Sequence, residues 1–171
     1  GDEWFGGNLS YHLSTRPKWL NKLDESMVKI NSGNGVVYTA GTFQGTANFG
    51  NGTYVVSNGW NDLFIATSAS DGNWSSVMSA GGQGYEMISS MAMTSNDEIV
   101  MTGKLSGALS LGDYNLTTAG GDDILLALLD TYAVQLSDGW MWGLSAGGSG
   151  SDEGIDIDTV SYTHLRAHEP R

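Results

Sequence analysis

The side chains able to do chemistry in this 171-residue chain are almost all carboxylates. Residues 30–163 hold 14 acids, a single basic side chain (Lys104) and no histidine, and the whole chain lacks cysteine. A Ser/His/Asp arrangement would have to borrow His12, His164 or His168 from the two ends, because the body supplies no imidazole to act as general base. Disulfides and thiolate metal sites are excluded. The glycine-rich corners spell neither phosphate-cradling motif. What remains is carboxylate chemistry and aromatic contact.

Glycoside hydrolysis needs two carboxyl groups about 5–10 Å apart, one of them kept protonated by its surroundings. Asp62 and Asp123 each stand just before a strongly apolar run, at matching positions of an internal repeat. A catalytic constellation is one special arrangement, so a residue copied once per unit reads instead as an acceptor of backbone N–H groups at a turn. The densest acidic cluster is Asp152, Glu153, Asp156 and Asp158. Asp156 and Asp158, two apart, would share one face of a strand, and with Asp152 they make a weak case for Ca²⁺. Gly147 to Asp152 also spells the start of the calcium-binding nonapeptide Gly-Gly-x-Gly-x-Asp, and Gly81 to Glu86 nearly does. That site is built from consecutive nonapeptides stacked turn upon turn. Here the copies lie 66 residues apart, which favours a glycine corner, and no other cofactor is indicated.

Aromatic faces stack on sugars and ring ligands. Trp74 and Trp140 recur in register and read as packing between units. Trp60 and Trp142 have no counterpart, since Gly121 stands opposite the first and Ser76 opposite the second. These two are the better candidates for ligand contact. A formal charge of −12 argues against nucleic acid and anionic membrane surfaces as partners. No apolar run approaches the roughly 18 residues of a membrane span, so membrane insertion is not expected.

The elements that position these residues repeat with a period of 61–66 residues. Ala40 to Gly45 matches Thr102 to Gly107, Asp62 to Ala66 matches Asp123 to Ala127, and Ser79 to Gly84 matches Ser145 to Gly150. Gly41 and Gly103, and Gly81 and Gly147, fall at equivalent positions. The order of matches is preserved, which marks a true repeat. Turn signals every 8–12 residues predict strands, at 27–31, 36–43, 54–56, 63–67 and 74–78, and again at 91–94, 99–105, 114–118, 124–129 and 140–144. Lys18 to Lys29 is the one stretch that could hold a short helix. Four short strands per unit predict sheets stacked face on face, as in propellers.

The sequences 33–50, 61–66, 71–74 and 80–82 resemble the bacterial and archaeal β-propeller repeat family, of the seven-bladed type. The resemblance spans about residues 26–158. The residue after the Phe-Ile-Ala run, commonly Lys in that family, is Thr67 here and Leu128 in the second unit. Residues 161–171 resemble the conceptual translation of a sequencing adapter. The organisation expected is therefore a head (1–25) that is a degenerate blade or an insertion, and a repeat region (26–160). The region holds units of about 26–87 and 88–154 and the start of a further blade. A non-native tail (161–171) follows. The fold expected is all-β, an incomplete β-propeller of two to three four-stranded antiparallel blades within a longer protein.

The resemblance implies a secreted or cell-surface protein without catalytic activity, a scaffold presenting loops to protein or glycan. The alternatives are blades of a carbohydrate-active enzyme or lectin-like module, and a calcium-stabilised adhesin segment. Open blade edges are templates for self-association.

Overall fold

In a computed structural model the chain is described at residues 23–31, 35–69 and 71–159, the first stretch by its backbone alone. The rest of the expected head and the expected non-native tail (161–171) lie outside these residues. Ten strands form two four-stranded antiparallel sheets and one hairpin. The first sheet has the order β1 (Leu23–Asn31), β2 (Val37–Phe43), β5 (Asp62–Ser68), β6 (Trp74–Ala80). Between β2 and β5 the chain makes the hairpin β3 (Thr46–Gly50) and β4 (Thr53–Val56). The second sheet is β7 (Glu86–Met93), β8 (Glu98–Leu111), β9 (Tyr114–Asp130) and β10 (Trp140–Ala146), in chain order. A 3-10 turn at Leu136–Asp138 leads into β10.

The two units differ at the hairpin. Strands β8 and β9 run on through the positions of the hairpin, pairing Leu111 with Tyr114 at its tip, with a register shift between Ser106 and Ala108. In the first unit the same hairpin is a separate two-stranded sheet. The short helix allowed at Lys18 to Lys29 is not what forms: residues 23–29 lie in β1, paired antiparallel to β2 from Leu23↔Phe43 to Asn31↔Val37. Cross-strand pairing overrides a weak local helical preference. The spacing of turn signals passed over β3, because Thr46–Gly50 is short and mostly polar.

Period-two alternation sends β5 to two separate cores. Leu63 and Ile65, fully buried, join the large cluster that also holds Ile88, Met101, Leu125 and Leu129 of the second sheet. Phe64 and Ala66 join Phe43 and Phe49 in a smaller cluster on the opposite side. Phe64 packs edge-to-face on both Phe43 and Phe49, at ring-centre distances of 6.3 and 5.3 Å. Burial on both faces explains why β5 reads as a continuous apolar run and not as an alternating one. In β9 the residues matching Leu63, Ile65 and Thr67 are Ile124, Leu126 and Leu128, and these are half-buried.

Candidate functional site: the glycine corner and its carboxylates

The two sheets meet at a corner built by the Ser79 to Glu86 segment. Its backbone stitches the units together: the N–H groups of Trp60 and Asn61 donate to Gly84 O, and Glu86 N–H donates to Asn61 O at 2.8 Å. The same stitching recurs one repeat later, where Gly121 N–H donates to Gly150 O and Asp152 N–H donates to Asp122 O at 2.7 Å. Residues 61–66 positions apart therefore do identical work, and the repeat seen in sequence is a repeat of contacts.

Each corner encloses a pair of carboxylates. Asp62 Oδ2 accepts the Asn58 N–H at 2.9 Å, and Glu86 Oε2 accepts the Gly82 N–H at 2.9 Å. In the second copy Asp123 Oδ2 accepts from Ala119 N–H and Asp152 Oδ2 from Gly148 N–H, both at 3.0 Å. Asp62 and Asp123 are thus acceptors at turns, as their periodicity implied, but each also faces a second acid. Glycine is required between them for want of room. A methyl carbon on Gly81 would fall inside the Asp62 carboxyl group, and one on Gly147 would meet Asp123 Oδ1 at 2.5 Å and Asp152 Oδ2 at 2.9 Å. The sequence signal for the second acid was available. Glu86 and Asp152 are carboxylates in matching places, four residues after the second glycine of each Gly-Gly pair.

The first pair is the more enclosed: Asp62 is 1 % exposed and Glu86 0 %. Asp62 Oδ1 and Glu86 Oε1 are buried without a hydrogen-bond partner, as is Asp123 Oδ1. Burial raises the Asp62 carboxyl above its ordinary range, against the N–H groups of Asn58 and Gly59. Burial pushes Glu86 up to about 7, opposed by the Gly82 N–H and reinforced by the charge of Asp62.

Above this pair lies a groove of about 460 Å³ lined by Asn58, Gly81 to Gly84 and Ser106 to Ala108. Gln83 Nε2 donates to Asn58 O across it at 3.1 Å. Trp60 follows directly from the groove wall, anchored by its backbone to Gly84, with its side chain 70 % exposed. An amide-rich groove beside an aromatic face can hold a neutral polar ligand. The second corner has Gly121 in place of Trp60, so this combination occurs once among the described residues.

The other residues singled out in the sequence go elsewhere. Trp142 is half-buried in β10, across from Leu128, and is not part of the groove. Trp74 packs edge-on against Phe49, with ring centres 5.3 Å apart. Trp140 lies against Gly112 and the large core. Both recurring tryptophans therefore touch the hairpin of their own unit. Their strands follow that hairpin in the chain, so its closure brings them onto it. Gly41 and Gly103 sit mid-strand, opposite Met27 and Ile88, where the first strand of each sheet comes close.

The acidic cluster is dispersed. Asp152 turns back to Gly148, Asp156 accepts from Ser90 Oγ at 2.6 Å, and Asp158 accepts the Thr159 N–H. Among the described residues no three His, Cys, Asp or Glu side chains gather as metal ligands would. Lys104 pairs with Asp122 at 3.3 Å and Glu153 at 3.9 Å, and lies 5.3 Å from the centre of the Tyr85 ring.

The chain matches no known protein-family model and no curated protein.

Proposed function

We propose that the chain is a run of β-propeller blades, serving as a non-catalytic scaffold of a secreted or cell-surface protein and presenting corner loops to a glycan or protein. One observation carries the propeller reading, the repetition of the seam. Strand β7, the first of the second sheet, packs against β1, the first of the first sheet. Residues 152–159 then lie along β7 in the same way. Glu153 and Asp156 accept from Ser89 and Ser90, Gly154 N–H donates to Gly103 O, and Thr159 donates to Met93 O. First strands stacked in succession are the inner strands of successive blades. The half-buried face of Ile124, Leu126 and Leu128 is where a further sheet would sit, as the second sheet sits on Leu63 and Ile65.

The non-catalytic reading is supported by the enclosure of Asp62 and Glu86. A glycosidase acid must touch substrate, and these lie beneath the Gly81–Gly82 backbone. Exposure of Trp60 beside an amide-lined groove favours a glycan over a protein as the ligand, because one aromatic face and a few amides suit a sugar ring. Glycan-array binding of the chain and of Trp60→Ala tests this. Binding lost at least tenfold in the variant is the expected result, and no binding by the parent chain removes the glycan reading.

A further inference from the structure

We infer that Glu86, enclosed at the corner with Asp62, is held there as the neutral acid, and that loss of its proton loosens the corner that carries Trp60. Each carboxyl has one oxygen satisfied by a backbone N–H and one buried oxygen with no partner. Two ionised carboxylates enclosed together repel, and each leaves a desolvated oxygen unpaired. A proton on Glu86 relieves the repulsion, because the net charge of the two groups then falls to −1. The glycine corner holds them in place, since Gly81 abuts Asp62 and Gly82 binds Glu86.

No described cation competes for these oxygens. On β5 the acid at this corner is Asp62, and on β7 it is Glu86. Strand β6 bears no titratable side chain, and β2 bears only Tyr38, paired with Thr67 away from the corner. Lys104 on β8 turns its ammonium to Asp122, Glu153 and Tyr85. Strand β1 carries Asp24, Glu25 and Lys29, with Asp24 in register with Thr42. The consequence for stability has a definite sign. Glu86 binds its proton more tightly folded, at about 7, than its ordinary value of 4.5. The folded state therefore holds more protons across that window, and stability falls as pH rises through it, levelling off above.

The inference concerns the corner itself and stands whether or not Trp60 meets a glycan. The test uses the whole chain with Glu86→Gln and Asp62→Asn, both of which supply a neutral partner of the same shape. For the parent, the thermal midpoint is expected to fall by several degrees between about pH 5 and about pH 8. The infrared carbonyl band of a protonated carboxylic acid is expected to disappear over the same range. Glu86→Gln abolishes both changes, and Asp62→Asn shifts the band's disappearance to lower pH. Tryptophan emission should change over the same window, and that change should be absent in Trp60→Phe. A parent chain with no pH-dependent band, or a Glu86→Gln variant that keeps the full slope, overturns the inference. So does recovery of the lost stability above pH 8 by millimolar Ca²⁺, because the unpaired oxygens would then belong to a cation.

Discussion

Glycine matters most in this protein where a carboxylate fills the space a side chain would take. Gly81 and Gly147 are the two cases, each pressed against the aspartate at the head of the most apolar strand of its unit. Gly147→Ala is expected to lower stability by roughly 1–3 kcal/mol, the usual cost of forcing atoms into a packed site. Denaturant unfolding measures it, and a change under about 0.5 kcal/mol would place the carboxylates elsewhere. Lys104 makes the opposite case. Its two ion pairs are partly exposed, at 3.3 and 3.9 Å, so Lys104→Met should cost no more than about 1 kcal/mol. The same denaturant series reports both. These expectations follow from contacts that unite residues 18 to 49 positions apart, which no local window of sequence displays.

At the level of elements, the hairpin of β3 and β4 is held to its sheet chiefly by aromatic contact. Phe49 touches both Phe64 and Trp74 edge-on, at 5.3 Å each, while β4 itself is largely exposed. Phe49→Ala should cost about 3–5 kcal/mol if the hairpin stays docked and leaves a cavity. It should cost less if the hairpin detaches, and amide hydrogen exchange at residues 46–56 distinguishes the two outcomes. Detachment predicts fast exchange there with β2 and β5 still protected; uniform protection would show that the ring is not what holds the hairpin. The second unit replaces Phe43, Phe49 and Phe64 by Leu105, Leu111 and Leu125 and runs the hairpin continuously into β8 and β9. The strands of the four-stranded sheets were legible from turn spacing and apolar runs. The hairpin strand β3 was not, because its alternation is polar on one side and its apolar side holds only Ala47 and Phe49.

Across the whole molecule the pattern is of sheets stacked in one direction. The face of β5 bearing Leu63 and Ile65 is covered by the second sheet, whereas Ile124, Leu126 and Leu128 in β9 are only half-buried. Strand β10 adds an edge with Leu144 at 56 % and Met141 at 42 % exposure. Such a face and edge favour association of copies of the chain. Sedimentation should show concentration-dependent oligomers, weakened in Leu126→Lys and Leu144→Lys. A parent chain that remains monomeric at high concentration would contradict this reading.

The sequence by itself determined the repeat, the all-β character and the strand-by-strand correspondence of the units, because backbone pairing and turn chemistry act over a few residues and leave a periodic trace. It also marked Asp62, Asp123, Gly81, Gly147 and Trp60 as positions to watch. Only the tertiary structure decided what these residues meet. It brought Glu86 to Asp62 and Asp152 to Asp123, turned Trp74 and Trp140 onto the hairpins of their own units, and spread Asp156 and Asp158 to separate partners. The physical reason is that enclosure is a property of packing. Two acids 24 residues apart come to feel each other's charge only when a second sheet closes over the first and removes the water that would have screened them.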